Sequence, residues 1–346
     1  MKAAMFHAFE QPLELSQVAD PICPPDGVII EVRANGICRS DWHAWMGHDP
    51  TIKLPHVPGH EMAGIVAEVG PAVKQWQLGD RVTAPFCCGC GHCSECLGGH
   101  QHICDNEYQP GFSGWGSFAE YVMIPHADLN LVRLPESIGF VEAASLGCRF
   151  MTAFHGLVDQ AKPKAGEWLS VHGCGGVGLS AVMIGHALGA QVIAVDIDEG
   201  KLELAQSLGA AFTLNAKTTD PVKAIRDITG GGTHISIDAL GSTLTCRNSI
   251  KGLRKRGRHV QIGLMLAEDA NPKLPMYAVI SKELQLIGSH GMAAHRYPEM
   301  LRMIELGVLA PQKLIGKTVS LAKAGEELAA MGRFSQTGVT VISSFA

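Results

Sequence analysis

The chain has 346 residues, of which 46% are hydrophobic and 18% are charged. This length and composition predict two folded domains, because single cores rarely grow beyond ~250–300 residues and disordered chains are less apolar. The net charge of −5 argues against a nucleic-acid surface, since phosphate binding requires concentrated lysine and arginine. The sequence has no run of about 18 apolar residues, so we expect no membrane-spanning helix.

The N-terminus and the cysteine content both favour a reducing compartment. Residues 1–10 reach a charge before an apolar core of the signal-peptide type could form. The 11 Cys of the chain are therefore expected to be metal ligands and buried thiols rather than disulfides. We expect a cytoplasmic protein.

The opening segment is predicted to be all-β and to end at a cysteine. Short β-branched stretches such as residues 28–32 alternate with Pro-rich turns. The turn at residues 34–37 leads to Cys38, at the start of a predicted short helix that contains Asp41 and His43. A thiolate there would lie near helix amides that lower its pKa. Taken alone, Cys38 is more typical of a buried small hydrophobic residue.

His60 precedes a series of short strands that predicts a barrel-like β domain. Residues 62–70 alternate like a strand, and residues 79–82 form a turn into another. On its own, His60 would be an ordinary loop histidine. Zinc prefers thiolate and imidazole ligands, however, so Cys38 and His60 could supply two of the three protein ligands of a catalytic zinc.

Four closely spaced cysteines predict a structural zinc site in the segment 86–110. They are Cys90, Cys93, Cys96 and Cys104. Four thiolates close a tetrahedral zinc site and leave no open position. Cys87 and Cys88 lie in the same segment and leave open which thiols bind. The segment also resembles a zinc ribbon, but it contains no Lys or Arg that would attract phosphate.

A dinucleotide fingerprint follows a predicted strand at residues 168–172. Its residues are Gly173, Cys174, Gly175, Gly176, Val177 and Gly178. An apolar helix continues to about Leu188, and the next strand, residues 191–196, ends at Asp196. Glycines permit close approach of a pyrophosphate, the helix N-terminus stabilises its charge, and the acid accepts the ribose hydroxyls. Asp196 would repel the 2′-phosphate of NADP, and residues 197–199 offer no Arg, so NAD is favoured.

Four further strands are predicted near residues 212–214, 234–238, 258–262 and 284–288, which gives a doubly wound parallel sheet of about six strands. The basic cluster of Arg254, Lys255, Arg256 and Arg258 is interpreted as a solvated turn before a strand rather than a nucleic-acid or membrane patch. The tail from residue 289 has two helical stretches and a last strand at residues 339–342, and we expect it to return to the first domain.

These features, in this order, resemble the zinc-dependent medium-chain alcohol dehydrogenases over essentially the whole chain. The most specific elements are Gly36 to His43, Gly59-His60-Glu61, the four-cysteine segment, Leu146-Gly147-Cys148, and Gly173 to Gly178 with Asp196. The resemblance implies an α/β protein. A GroES-like β-barrel catalytic domain would comprise residues 1–149 and 289–346, and a Rossmann NAD-binding domain would comprise residues 150–288.

The resemblance also assigns roles to single residues. Cys38, His60 and Cys148 match the catalytic zinc ligands. The resemblance therefore favours a ligand role for each of them over that of an ordinary buried or loop residue. Asp41 matches an acid that orients the ligand imidazole. Glu61 matches a carboxylate near the zinc that could exchange with water.

The proton path and the cofactor contacts are implied in the same way. Ser40 would take the alcohol proton, although it could equally be a helix cap. His43 matches a residue that relays the proton through the cofactor ribose to solvent. Arg39 matches a pyrophosphate contact, and Lys201 matches a residue near the adenosine ribose. The family often has an Arg near the C-terminus, but residues 337–340 have none, so cofactor binding would depend more on Arg39.

Trp42, Trp45 and Phe86 are expected to line a substrate channel or simply to pack, and a channel would suit bulky or aromatic alcohols. We predict an NAD-dependent alcohol dehydrogenase with two Zn²⁺ per chain, which interconverts alcohols with aldehydes or ketones as a homotetramer or homodimer. A polyol or amino-alcohol dehydrogenase is the nearest alternative. A zinc-ribbon binding protein with a vestigial nucleotide fold is an alternative of another class.

Overall fold

The computed structural model describes residues 1–333 and 337–345 and divides into two compact units. The first unit comprises Met1–Met151, Gly291–Gly307 and the described part of Pro311–Ala346. The second unit comprises Thr152–His290 and Val308–Ala310. Among the described residues, no helix is long and apolar enough to cross a membrane.

The first segment of the chain supplies most of the first unit. Its strands are β1 (Lys2–Met5), β2 (Glu14–Gln17), β3 (Val28–Ile37), β4 (Met62–Val69), β5 (Arg81–Thr83), β6 (Tyr121–Ile124) and β7 (Val132–Arg133). Its helices are α1 (Arg39–Trp45), α2 (Ser94–Leu97), α3 (Ala127–Asn130) and α4 (Phe140–Ser145), and the π-helical stretch Leu146–Phe150 follows α4. α5 (Met151–Phe154) begins at the last residue of this segment, and its other residues and the π-helical stretch His155–Ala161 belong to the second unit.

The second unit contains six parallel strands in the order β10-β9-β8-β11-β12-β13. They are β8 (Trp168–His172), β9 (Gln191–Asp196), β10 (Phe212–Asn215), β11 (Thr233–Asp238), β12 (Leu253–Gln261) and β13 (Gln285–Gly288). The helices are α6 (Gly176–Ala187), α7 (Glu199–Ser207), α8 (Pro221–Thr229), α9 (Thr243–Lys251) and α10 (Met276–Ser281). Strand segments such as Leu169 to Val171 are fully buried, as expected for a parallel sheet covered on both faces. The predicted doubly wound sheet is confirmed.

One strand of this sheet differs from its prediction. β12 begins at Leu253 rather than near residue 258, so Arg254, Lys255 and Arg256 belong to the strand and not to a turn before it. The strand is irregular there: its register against β11 shifts, and Arg256 has a φ of 61°. The basic residues lie in this bulge, and their consecutive charges lack the apolar alternation from which a strand is predicted.

The C-terminal segment completes the sheet of the first unit. It adds α11 (Tyr297–Glu305), β14 (Ile315–Ser320), α12 (Ala324–Ala330) and β15 (Val339–Ser344). The strand order is β14-β15-β3-β4-β5-β7, and β6 also pairs with β3. β15 lies antiparallel to β3, so the last strand does return to the first segment, as expected. The sequence does not predict β14, because this segment lacks an apolar alternation.

Candidate functional site

The first site begins where β3 ends and α1 starts. Cys38 is the N-cap residue of α1, with extended backbone angles φ −106° and ψ 156°. Its backbone N–H donates to Oδ2 of Asp41 at 2.9 Å. Asp41 is fully buried, so this hydrogen bond fixes the first turn of the helix and the position of the thiol.

A glycine-dependent loop positions His60. Gly59 has a φ of 111°, and a Cβ atom there would lie 2.6 Å from the backbone nitrogen of Phe118. Gly116 donates to the carbonyl of Val57 at 2.8 Å, and Ser117 donates to that of Gly59 at 3.0 Å. β6 therefore starts only at Tyr121, because the backbone that precedes it bonds to this loop instead.

Four side chains from three separate segments converge in the first unit. They are Cys38, His60, Glu61 and Cys148, whose potential ligand atoms all lie within 4.8 Å of one another. His60 is fully buried, and its Nδ1 lies 2.8 Å from Oδ1 of Asp41. Its Nε2 is buried and has no hydrogen-bond partner among the described residues. A buried imidazole with one oriented and one unsatisfied nitrogen, beside two thiols, suits a zinc ion.

The two thiols of this cluster interact with each other. The pKa of the Cys38 thiol lies well below its ordinary value, chiefly because Cys148 hydrogen-bonds to its sulfur. The pKa of Cys148 lies well above its ordinary value, because of that same hydrogen bond and of burial. A coordinating divalent cation deprotonates such thiols, so the pair fits a metal better than it fits an apolar core.

Arg149 is a site residue that the sequence did not reveal. Its guanidinium forms an ion pair with Glu61, in which its Nε donates to Oε1 at 3.1 Å and its Nη2 donates to Oε2. Glu61 also accepts the backbone N–H of Cys148 at 2.9 Å. Burial raises the pKa of Glu61 to about 7, while Arg149 acts in the opposite direction. The available signal was an arginine in an otherwise apolar segment directly after Cys148.

The predicted proton path lies on α1. Ser40 Oγ is 3.8 Å from the Cys38 sulfur. His43 meets a second imidazole: its Nδ1 lies 2.9 Å from Nδ1 of His48, a residue that belongs to none of the predicted motifs. Burial, together with Arg39 and His48, lowers the pKa of His43 to about 4. The imidazole is therefore neutral near pH 7, the form that can accept a proton.

The other predicted residues of α1 and its surroundings make different contacts. The Arg39 guanidinium stacks over the Trp42 ring at 3.8 Å and donates to the carbonyl of Met331 at 2.5 Å. Phe86 lies edge-on to His60, with ring centroids 6.1 Å apart. Trp45 Nε1 donates to a backbone carbonyl at 2.6 Å, on the side of the N-terminal loop. A place for these aromatic residues in a substrate channel stays a prediction.

The second cluster lies around α2 and consists only of sulfur ligands. Cys90, Cys93, Cys96 and Cys104 have their sulfur atoms within 4.8 Å of one another. Backbone amides donate to two of these sulfur atoms. The N–H of Cys90 donates to the Cys104 sulfur at 3.3 Å, and the N–H of Asn106 donates to the same sulfur at 3.2 Å. The N–H of Cys96 donates to the Cys93 sulfur at 3.4 Å. Such N–H···S bonds stabilise thiolates, so the donor set fits a structural zinc.

Cys87 and Cys88 stand apart from this cluster. The Cys87 sulfur donates to the carbonyl of Met292 at 3.7 Å, and that of Cys88 donates to the carbonyl of Pro85 at 3.5 Å. Burial raises the pKa of Cys87 to about 12. Both thiols are therefore protonated and buried, which favours Cys90, Cys93, Cys96 and Cys104 as the ligands.

The fingerprint lies between β8 and α6 in the second unit. Gly173 has a φ of 92°, and a Cβ on Gly178 would clash with the carbonyl oxygen of Gly173. A Cβ on Gly175 would meet no described atom within 4 Å, so open space lies beside the N-terminus of α6. Gly176 and Val177 form the first turn of that helix. An open helix N-terminus of this kind fits a pyrophosphate.

Asp196 ends β9 next to this loop. Its Oδ2 accepts the N–H of Cys174 at 2.6 Å, and its Oδ1 accepts that of Ile197 at 2.7 Å and of Asp198 at 3.0 Å. Asp198 in turn caps α7 through the N–H of Lys201 at 3.1 Å. The carboxylate is thus held rigidly at the strand end, where the sequence predicts a ribose contact.

Comparison with known proteins gives consistent results. Residues 24–136 match the alcohol dehydrogenase GroES-like domain, and residues 176–305 match the zinc-binding dehydrogenase domain. The chain is 37% identical over 292 residues to an alcohol dehydrogenase of Geobacillus stearothermophilus, which covers 84% of each sequence. It is 33% identical to an NAD-dependent alcohol dehydrogenase of Saccharolobus solfataricus, over 99% of both sequences.

A solved structure shares the whole fold. The alcohol dehydrogenase from Thermus sp. ATN1 superposes with a TM-score of 0.91 at 29% identity, and the match covers 100% of both chains. The predicted combination of a GroES-like domain with a Rossmann-type domain is confirmed.

Proposed function

Since the chain belongs to the zinc-dependent medium-chain alcohol dehydrogenase family, we propose that it oxidises alcohols reversibly with NAD and uses two zinc ions per chain. The observation that carries the proposal is the convergence of Cys38, His60 and Cys148 around the unsatisfied Nε2 of His60. A thiol–imidazole–thiol set supplies three protein ligands, which is the number that a catalytic zinc retains.

The chemistry divides between the metal, the cofactor and the side chains. Cys38, His60 and Cys148 would hold a zinc ion, which would lower the pKa of the alcohol hydroxyl, and the fingerprint with Asp196 would hold NAD, which would supply the hydride acceptor for conversion of an alcohol to an aldehyde or ketone. Ser40 takes the hydroxyl proton, and neutral His43 passes it on, with His48 as an exposed hydrogen-bonding neighbour towards solvent. Asp41 holds the His60 ring in the orientation that directs Nε2 to the metal.

The remaining roles follow from the other two sites. Cys90, Cys93, Cys96 and Cys104 would hold a structural zinc, because four thiolates complete a tetrahedral ligand set. Gly173, Gly175, Gly176, Val177 and Gly178 hold the pyrophosphate of NAD, and Asp196 accepts hydrogen bonds from its ribose. Arg39 and Lys201 add positive charge for the phosphates and the adenosine ribose. Trp42, Trp45 and Phe86 bound the substrate channel.

We propose a homotetramer or homodimer in a reducing compartment such as the cytoplasm. Support for that compartment comes from the two clusters, which require reduced thiols. Light scattering of the purified protein tests the oligomeric state.

Metal analysis combined with turnover tests the function. The purified chain is expected to contain two zinc ions and to form NADH from a panel of primary, secondary, aromatic and polyol alcohols. Cys38→Ser should lose one zinc and all turnover, while retaining the second zinc. A chain with one zinc that is insensitive to Cys38→Ser would contradict the catalytic site, and preference for a polyol would favour the nearest alternative.

A further inference from the structure

A second polar pocket lies in the second unit, away from the fingerprint. It has a volume of about 340 Å³ and is lined by Glu167, His234, Arg254, Lys255, Arg256 and Arg258. Four cationic side chains thus face one carboxylate in a chain whose net charge is −5. This excess of positive charge in a concave surface attracts a multivalent anion.

The pocket lies at the opposite end of β8 from the fingerprint. Trp168 begins β8 beside Glu167, and the same strand ends at His172, directly before Gly173. Five residues of strand span roughly 16 Å, so an anion in this pocket cannot also contact the fingerprint loop. The two sites are therefore separate.

The bulge of β12 is what builds the pocket. Thr233 pairs with Leu253, but Ile235 pairs with Arg258, so three extra residues are accommodated on β12 between the two pairs. Arg256 has a left-handed φ of 61°, and its N–H donates to the carbonyl of Lys282 at 2.7 Å. A long residue rarely adopts this conformation, and the bulge projects consecutive basic side chains from the end of the strand.

The hydrogen bonds of His234 bring two donors together, and an anion placed beside them would accept from both. The backbone N–H of Trp168 donates to Nδ1 of His234 at 3.0 Å, so Nδ1 carries no proton. The proton of the neutral ring is then on Nε2, yet Nε2 lies 2.7 Å from Nη1 of Arg254, which is also a donor. Burial and the nearby Arg254 lower the pKa of His234, so the ring stays neutral. Two donors therefore face each other at hydrogen-bonding distance.

A further donor in the pocket lacks a partner. The Nε of Arg258 is buried and makes no hydrogen bond within the described part of the chain, although its Nη2 pairs with Glu167. Buried N–H groups without an acceptor are rare and costly. The pocket therefore combines excess positive charge, a donor–donor contact and an unsatisfied guanidinium nitrogen, and all three call for an added acceptor.

We propose that this pocket binds a small phosphate-bearing anion, either inorganic phosphate or a phosphomonoester. One oxygen accepts from both Nε2 of His234 and the guanidinium of Arg254, while Lys255 and Arg256 neutralise the remaining charge. Guanidinium groups match phosphate oxygens in pairs, which favours a phosphate over a monovalent carboxylate. The inference does not depend on the proposed enzymatic function.

Calorimetric titration of the full chain tests the proposal. Inorganic phosphate and glycerol phosphate are titrated separately against chloride at equal ionic strength, in the presence of saturating NADH so that the fingerprint is occupied. One site per chain is expected. Arg254→Gln should weaken binding at least about tenfold, since a hydrogen bond to a charged group is lost. Tighter binding of the ester than of phosphate would identify the ester as the ligand class, and the reverse would identify free phosphate.

The matched control is Lys223→Gln, which removes an exposed positive charge from α8, and it should bind phosphate like the parent. Thermal unfolding adds an independent measurement. In phosphate-free buffer Arg254→Gln should be at least as stable as the parent, because the glutamine carbonyl accepts the proton of His234 Nε2. The proposal is overturned if neither anion binds, if Arg254→Gln binds as the parent does, or if this variant unfolds earlier without phosphate.

Discussion

Nδ1 of His60 lies 2.8 Å from Oδ1 of Asp41, and the opposite ring nitrogen has no hydrogen-bond partner in the described chain. The same carboxylate accepts the backbone N–H groups of Cys38 at 2.9 Å and Gly59 at 3.0 Å. Asp41 thus fixes the positions of two proposed ligands at once. A single buried acid connects the two ends of the loop between them.

Replacement of Asp41 should weaken the binding of the catalytic zinc without unfolding the chain. In Asp41→Asn, the side-chain N–H₂ group is itself a donor, so it cannot accept the hydrogen bonds that a carboxylate oxygen accepts. The His60 imidazole therefore loses its fixed orientation. Outer partners of metal-binding histidines typically contribute about 10–100-fold to affinity, and a loss of that size is expected. Competition with a chromophoric chelator measures it. Unchanged zinc affinity at this site would show that Asp41 serves only to cap α1.

Loss of a ligand from the four-cysteine cluster should lower the stability of the chain as well as its zinc content. Cys96→Ser is expected to reduce the zinc content from two to one and to lower the thermal midpoint, because a structural zinc contributes directly to folding. Cys87→Ala is the matched control, since this buried thiol bonds to Met292 outside the cluster. It should retain both metals. Loss of zinc from the Cys87→Ala variant would mean that the ligands have been assigned to the wrong thiols.

The cofactor preference should depend on one carboxylate. Asp196→Gly removes the charge that would repel the 2′-phosphate of NADP, so the ratio of kcat/KM for NADP to that for NAD should rise at least about tenfold. Asp198→Asn removes a charge nearby but retains the cap of α7. It should leave the ratio almost unchanged. An equal rise in both variants would point to general electrostatics and not to a specific contact of Asp196.

These sites differ in how far the sequence could predict them. The sulfur cluster was predictable from spacing alone, because its ligands lie in one short segment. Cys38, His60 and Cys148 are far apart, and each was individually more typical of an ordinary buried or loop residue until the resemblance connected them. The six-stranded sheet followed from apolar runs and glycines, which are local signals.

Other features were not predictable, because they depend on tertiary contacts. The ion pair between Glu61 and Arg149 joins residues that are 88 positions apart, and neither belongs to a motif that predicts the other. The bulge of β12 depends on a hydrogen bond from Arg256 to Lys282. His48 meets His43 only because the chain turns back after α1.

The buried ion pair gives a prediction about stability. Arg149→Met would leave Glu61 as an uncompensated buried charge, which typically costs about 3–5 kcal/mol. The free energy of unfolding, measured by denaturant titration, should fall accordingly, and Glu61→Gln in the same chain should restore part of it. Arg33→Met is the control: Arg33 pairs with Glu31 at 2.9 Å and both side chains are exposed, so its loss should cost under about 1 kcal/mol. Equal costs at the two arginines would contradict a dominant role of burial.

The acid sensitivity of the second unit should depend on His172. This residue ends β8, is buried, and has an Nε2 without a hydrogen-bond partner among the residues described. Burial, with a smaller effect of His259, lowers its pKa from 6.5 to about 3. Between pH 3 and pH 6.5, His172 is protonated in the unfolded chain but neutral in the folded chain. The stabilisation is therefore complete above pH 6.5 and is lost progressively as the pH falls towards 3.

His172→Val removes this titration. From pH 7 to pH 5, the parent should lose about 2 kcal/mol more of its free energy of unfolding than the variant does, by linkage. The comparison uses the change with pH, so any constant cost of the smaller side chain cancels. His186→Gln, an exposed position on α6, is the control and should follow the parent at both pH values. Parallel pH profiles for the parent and the His172→Val variant would show that the pKa of His172 is the same in the folded and unfolded chain, and would place the acid-sensitive group elsewhere.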